Sequence, residues 1–141
     1  MTIDLMRSAD TIGMFCRLNM KVKRDLPIRA SEMGVLIFTS KQDDEVTPLM
    51  ISQFFKIAKP SVTSMIKPLL RLAYLEKTIS MLDKRSYSLR ITQKGMNLVN
   101  STINDYYKSI DMMIEKMGLN EFNTLIELLN KANEILEEIE E

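Results

Sequence analysis

The side chains that could do chemistry in this chain are the basic residues of its middle segment, residues 56–94. The 141-residue chain has 19 basic and 19 acidic side chains, yet this segment opposes its basic residues with only Glu76 and Asp83. The basic residues of the segment are Lys56, Lys59, Lys67, Arg71, Lys77, Lys84, Arg85, Arg90 and Lys94. Because the local field attracts a polyanion whatever the net charge, the pattern favours nucleic-acid binding. The alternative is that these charges only solvate exposed helix faces.

The composition argues against most kinds of catalysis. The chain has no histidine and a single cysteine, which excludes Cys–His and Ser–His pairs and zinc sites built from both residue types. We therefore expect no enzyme, no metal site and no cofactor. Residues 1–10 lack the apolar core of a signal peptide, and no apolar run is long enough to span a membrane. These features predict a cytoplasmic protein with no membrane partner.

Residues 31–72 are predicted to form a helix-turn-helix. Ser31 is the predicted N-cap of a helix that ends near Lys41, and Thr47 followed by proline starts a second, short helix. A third helix, from Pro60 to about Leu72, has an apolar inner face and a small, polar and basic outer face. Such a face is typical of a helix that reads the major groove of DNA. The residues assigned to DNA contact there are Lys59, Pro60, Ser61, Thr63, Ser64, Lys67 and Arg71.

The period of the apolar pattern changes from helical to two after Leu75. Ile79 and Met81 alternate with polar residues, and so do Tyr87, Leu89 and Ile91. This pattern predicts a β-hairpin, or wing, with a polar and basic tip. A long charged side chain at such a tip can enter the minor groove, where the potential is most negative. The tip residues assigned to DNA contact are Asp83, Lys84, Arg85 and Ser86.

Both ends of the chain are predicted to be amphipathic helices. From Met96 to Met117 the apolar positions step alternately by three and four, Gly118 ends that helix, and Asn120 caps the next. The body of the chain is too small to bury three such helices, so we expect a second copy to cover them. The alternative is an intramolecular three-helix bundle. The residues assigned to dimerisation are Leu5, Ile12, Ile110, Met113, Met117, Phe122, Leu125, Leu129 and Leu136.

These segments together resemble one family of regulators. Residues 83–95, Asp-Lys-Arg-Ser-Tyr-Ser-Leu-Arg-Ile-Thr-Gln-Lys-Gly, resemble the Asp-x-Arg wing and the following Leu/Ile-Thr-x-x-Gly helix start of MarR-type winged helix-turn-helix regulators. Residues 59–64, Lys-Pro-Ser-Val-Thr-Ser, resemble the start of the recognition helix of that family. The resemblance covers nearly the whole chain. The fold class that it implies is mainly α with a small β-wing, flanked by long dimerisation helices at both ends.

The resemblance implies a function and a division of the chain. Residues 1–141 would form one domain, in which 1–30 and 93–141 build a homodimeric helical frame and 31–92 form the DNA-binding lobe. The protein would be a repressor that binds double-stranded DNA at an inverted repeat, with Arg85 in the minor groove and Asp83 orienting it. A small-molecule effector would bind between the frame and the lobes and shift the spacing of the two recognition helices.

Three residues depart from the pattern of that family. Ala73 stands where the family usually has glycine, and alanine tolerates positive φ poorly, so we expect a different turn there. Pro68 lies inside the predicted recognition helix and should bend it. Ser64 replaces the usual arginine, which predicts altered or weaker base readout. Pro68 and Ser64 keep open a second function, a winged-helix dimer that acts on a protein partner.

The single cysteine, Cys16, offers an alternative mode of regulation. The resemblance includes a branch that senses hydroperoxides through a reactive thiol, which requires a low thiol pKa. Packing is the simpler interpretation, because Cys16 lies in the apolar stripe of the first helix.

Overall fold

The computed structural model describes residues 3–79 and 86–140 of the chain. They form seven helices and one hairpin in the order α1 (Leu5–Lys21), α2 (Ala30–Ser40), α3 (Pro48–Phe55), α4 (Lys59–Arg71), β1 (Leu75–Ile79), β2 (Tyr87–Ile91), α5 (Gln93–Tyr106), α6 (Lys108–Met117) and α7 (Leu119–Glu140). This order confirms the predicted fold class, mainly α with a small β-wing. Across the described ranges, no helix combines the length and the apolar character needed to cross a membrane.

The chain divides into two compact units. The central unit, Arg24–Tyr106, contains α2 to α5 and the hairpin, and the terminal unit combines Met1–Lys23 with Tyr107–Glu141. Helix α2 is the central helix of its unit, because six of its successive positions from Glu32 to Ile37 are buried. An apolar helix of this kind is stable only when neighbours cover it on all sides. The side chains packed most completely in this core are Met33, Leu36, Ile51, Ile66, Leu69, Leu75 and Leu89.

The starts of the first two core helices differ in how well the sequence predicted them. Thr47 caps α3 as predicted, since its hydroxyl accepts a hydrogen bond from the backbone N–H of Met50 at 3.2 Å. The prediction of Ser31 as the N-cap of α2 is wrong, because the N-cap is Arg29. The carboxylate of Glu32 accepts the backbone N–H of Arg29 at 3.1 Å, which places the helix start two residues earlier.

The turn after α4 has the geometry of a glycine turn, although the residue there is alanine. Ala73 adopts a left-handed conformation with φ of 63°, so the expectation of a different turn is wrong. The N–H of Tyr74 donates to Leu69 O at 2.9 Å and the N–H of Ala73 to Leu70 O at 3.1 Å, which is a complete Schellman motif. The Thr92 hydroxyl also donates to Ala73 O at 2.6 Å. These bonds hold alanine where glycine is usual. Helix α4 itself continues through Pro68 to Arg71.

The wing is an antiparallel pair of strands with a single-residue bridge at one edge. Strands β1 and β2 pair from Leu75 opposite Ile91 to Ile79 opposite Tyr87. Val46, in the loop between α2 and α3, adds an isolated bridge to Leu89 on the far edge of β2. Three of the residues assigned to the wing tip, Asp83, Lys84 and Arg85, lie outside the residues that the structure describes.

Two predicted helix boundaries in the C-terminal half of the chain are wrong. The predicted helix from Met96 to Met117 is interrupted at Tyr107, whose φ and ψ are −93° and 10°. The Arg24 guanidinium donates to Tyr106 O at 3.1 Å and so satisfies a carbonyl at the end of α5 from outside the helix. Gly118 ends α6 as predicted, with φ of 91°. Asn120 is not a cap, because α7 already begins at Leu119 and glycine alone makes the connection.

Replacing Ala73 with glycine should stabilise the protein. Glycine adopts positive φ without the steric cost that a Cβ imposes, so Ala73→Gly should raise the free energy of unfolding by about 0.5–1 kcal/mol. Urea denaturation followed by circular dichroism measures the change. Ala30→Gly is the control, because Ala30 is also exposed but helical, and there glycine should not raise stability. A destabilised Ala73→Gly variant would show that this turn carries no strain.

Candidate nucleic-acid interface

The outer face of α4 is a continuous exposed stripe. Val62, Ile66 and Leu69 are buried, which turns the opposite side of the helix to solvent. Pro60, Ser64, Lys67 and Arg71 follow one another at spacings of four, three and four, so they lie in one line. The line is about 16 Å long at the helical rise per residue. The stripe as a whole consists of the exposed residues Lys59, Pro60, Ser61, Thr63, Ser64, Lys67 and Arg71.

The stripe is positively charged because α4 contains no acidic residue. Its charged side chains are Lys59, Lys67 and Arg71. Within the part of the chain that the structure describes, none of the three has a side-chain hydrogen bond or an ion pair with a carboxylate. Three cations without local compensation create a positive potential over the stripe, which attracts an anionic surface.

The two central hydroxyl groups of the stripe are already committed as donors. Thr63 Oγ1 donates to Lys59 O at 3.2 Å, and Ser64 Oγ donates to Pro60 O at 3.1 Å. Each hydroxyl has a single hydrogen, so what remains for a partner is the lone pairs of its oxygen. In this arrangement the lysines and the arginine supply the donors of the stripe, and the two hydroxyls supply acceptors.

Two other basic residues of segment 56–94 make internal contacts. Lys94 Nζ donates to Leu72 O at 2.7 Å and lies 4.8 Å from the centre of the Tyr74 ring, so it fastens the turn after α4. Lys77 Nζ lies 4.3 Å from the centre of the Tyr87 ring on the wing. The charge count in the sequence does not distinguish among the nine basic residues. In the structure, Lys94 and Lys77 contact groups of the protein itself.

Arg90 is paired with an acidic residue that the sequence analysis did not single out. Its Nη2 donates to Glu45 Oε1 at 3.2 Å. Glu45 lies in the loop between α2 and α3, and 45 residues separate the two side chains along the chain. Sequence spacing does not predict a contact between residues that far apart. The bridge between Val46 and Leu89, which are their neighbours in sequence, brings the two side chains together.

An open cleft lies between this loop and β2. Its volume is about 740 Å³, and its lining exposes polar and apolar surface in equal measure. Over residues 3–79 and 86–140, no group of three or more His, Cys, Asp and Glu side chains is arranged to hold a metal ion.

The terminal unit carries the second notable surface, which is apolar. Helix α1 has no buried residue, and Leu5 and Ile12 are 77% and 66% exposed. On α7, Leu129 and Leu136 are 38% and 59% exposed. Of the other residues assigned to dimerisation, Phe122 is buried, Leu125 and Met113 are half-buried, and Ile110 and Met117 are exposed. Cys16 is exposed, so packing within the single chain does not bury it.

Known structures share this fold. The MarR protein from Peptoclostridium difficile is 20% identical, with a TM-score of 0.82 over 98% of this chain and 94% of that one. FabT from Streptococcus pneumoniae in complex with DNA is 22% identical, with a TM-score of 0.68 over 96% and 99%. The adhesin competence repressor AdcR from Streptococcus pyogenes is 17% identical, with a TM-score of 0.68 over 96% and 99%.

These likenesses show that the chain has the winged-helix fold of MarR-type transcriptional regulators, as the resemblance of its sequence predicted. No protein-family model matches the sequence, and no curated protein matches it.

Proposed function

We propose that this chain is a homodimeric transcriptional regulator, and not an enzyme, that binds double-stranded DNA with sequence specificity. The observation that carries the proposal is the exposed face of α4, which is basic, free of acidic residues and set on a helix-turn-helix. The same fold in FabT is bound to DNA, which supports this use of the fold.

In this proposal α4 lies in the major groove. Lys59, Lys67 and Arg71 contact phosphates or the acceptor atoms of guanine. Thr63 and Ser64 have donated their hydrogens within the helix, so they accept from the amino groups of adenine or cytosine. Their small size lets the helix backbone come close to the base edges. The wing residues Asp83, Lys84, Arg85 and Ser86 remain the proposed minor-groove contacts.

The proposed dimer forms through the apolar surface of the terminal unit. In this proposal the exposed leucine, isoleucine and methionine side chains of α1, α6 and α7 make up the apolar patch, since exposed apolar surface of this kind marks an interaction site. A second copy would cover this patch with the same patch of its own, which gives a two-fold axis. A two-fold dimer requires an inverted-repeat operator, with its half-sites about one turn of DNA, ~34 Å, apart.

The mode of regulation is proposed from the likenesses. AdcR, which has the same fold, is a repressor, and we extend that action to this chain in the cytoplasm. The proposed division is a frame, residues 1–30 and 93–141, and a DNA-binding lobe, residues 31–92. A small-molecule effector would act by changing the spacing of the two recognition helices. Oxidation of Cys16 is the alternative signal, because the thiol is exposed in the single chain.

Selection of bound duplexes from a random pool tests the function directly. We expect an inverted repeat whose half-site centres are separated by about 10 base pairs, because two symmetric recognition helices must fit successive major grooves. The enriched sequences are read by sequencing and checked by gel shift. Enrichment of a single unrepeated site would contradict the symmetric dimer, and no enrichment would contradict specific DNA binding.

Replacing Lys67 with alanine should weaken the salt dependence of DNA binding. Each phosphate contact contributes about one unit to the slope of log K against log salt, so a dimer that loses two contacts should lose about two units. Fluorescence anisotropy at several salt concentrations measures the slope. Lys131→Ala, which removes an exposed lysine from α7, is the control and should leave the slope unchanged. A flat plot for the wild type would instead favour the protein-partner function.

Replacing Leu129 with aspartate should dissociate the dimer. The substitution puts a charge into the apolar surface that the second copy covers, where it has no partner. Sedimentation velocity should show the mass falling by half. Asn130→Asp adds the same charge on the polar face of α7 and should leave the mass unchanged. A Leu129→Asp variant with dimeric mass would place the interface elsewhere.

A further inference from the structure

The loop between α2 and α3 contains a carboxylate that bridges two residues of the wing. Glu45 Oε2 accepts a hydrogen bond from the Ser88 hydroxyl, and Glu45 Oε1 accepts one from Arg90 Nη2 at 3.2 Å. Both oxygens of one carboxylate are therefore bound to strand β2. Ser88 and Arg90 are two residues apart on that strand, so their side chains share one face of the sheet.

The residue next to Glu45 holds the same strand through its backbone. The N–H of Val46 donates to Leu89 O at 2.9 Å, and the N–H of Leu89 donates to Val46 O at 2.6 Å. Val46 and Leu89 are fully buried, and Leu89 lies between Ser88 and Arg90 in the strand. Strand β2 is thus held at one point by its core side chain, by two backbone bonds and by the Glu45 carboxylate on its outer face.

The attachment through Glu45 and Val46 adds to the core packing of Leu75 and Leu89, which holds the base of the wing. An isolated two-stranded hairpin is marginally stable in water. Only Leu75 of β1 is buried, and the rest of that strand is exposed. Strand β2 therefore determines where the wing lies. Glu45 and Val46 attach the outer edge of this strand to the α2–α3 loop.

We propose that Glu45 is a positioning residue for DNA binding, which orients the wing by holding Ser88 and Arg90 of β2. This inference rests on the proposed function. The carboxylate also compensates the charge of Arg90, so Arg90 fixes the wing and is not one of the phosphate contacts. The cationic residues of α4, which have no carboxylate partner among the residues that the structure describes, make those contacts. The basic segment therefore contains two groups: the cations of α4, which bind DNA, and Arg90, which fixes the orientation of the wing.

Removal of the Glu45 carboxylate should change the affinity for DNA without changing the number of phosphate contacts. Glu45→Ala leaves the Ser88 hydroxyl and the Arg90 guanidinium without their acceptor, while the backbone bridge remains. The wing then has to be ordered when DNA binds, which should weaken affinity about five- to tenfold, the equivalent of one ordinary hydrogen bond. The salt slope should stay that of the wild type, because no phosphate contact is lost.

The test compares four proteins by anisotropy on the duplex that the wild type selects. They are the wild type, Glu45→Ala, the charge exchange Glu45→Arg with Arg90→Glu, and Asp43→Ala. The charge exchange rebuilds the ion pair with its sign reversed and should recover most of the lost affinity. Asp43→Ala removes an equal charge from the same loop, where Asp43 is exposed, and controls for the general repulsion between acidic residues and DNA.

Amide hydrogen exchange provides a second measurement that does not use DNA. In Glu45→Ala the amides of β2 should exchange faster than in the wild type, while those of α2 remain protected. Glu45→Gln, which keeps an acceptor oxygen but loses the charge, should lie between the two. These measurements apply even where Glu45→Ala lowers overall stability, because protection in α2 reports the intact core.

Two kinds of result would overturn the proposal. Tighter binding by Glu45→Ala with a steeper salt slope would show that Glu45 masks Arg90 as a phosphate ligand. Unchanged affinity and unchanged exchange in β2 would show that the carboxylate does not restrain the wing. Failure of the proposed function gives a different result, since the wild type itself would then bind no duplex at low salt.

Discussion

The burial of one side of α4 is the constraint on which the candidate interface depends. Val62, Ile66 and Leu69 are packed into the core of the central unit, and removing each from water contributes about 1.5–3 kcal/mol. Rotating the helix about its axis would expose them, so the helix has one stable orientation. That orientation presents the stripe from Pro60 to Arg71 to solvent. Buried apolar residues, which are not part of the candidate interface, thus determine which polar and basic side chains of α4 are exposed there.

Tertiary contacts then divide the basic residues by role. Lys94 fastens the turn after α4, Lys77 lies on the Tyr87 ring, and Arg90 is held by Glu45. The lysines and the arginine of α4 have no acidic neighbour on their own helix. A positive field over α4 follows from this division and not from the charge count, since the whole chain is neutral. The cations of the turn and the wing are engaged by a backbone carbonyl, by aromatic rings and by the Glu45 carboxylate.

The notable surface of the terminal unit is apolar and not charged, because many of its apolar side chains are exposed to solvent. Helix α1 buries no residue, and α7 keeps Leu129 and Leu136 substantially exposed. Such helices gain most of their stability from packing of the apolar face, so a chain with this surface is better satisfied beside a second copy. The proposed dimer and the proposed twofold operator both follow from that one surface.

The sequence by itself determined the elements whose cause is local. Thr47 before proline starts α3, and the helical spacing of Val62, Ile66 and Leu69 establishes the outer face of α4, because capping and periodicity act within a few residues. Only the tertiary structure decided the left-handed Ala73, the break at Tyr107 and the pairing of Glu45 with β2. At each of these places a residue distant in sequence adds a hydrogen bond, namely Thr92, Arg24, and Ser88 with Arg90. A hydrogen bond across such a separation exists only once the core has brought its two ends together, and no local pattern records it.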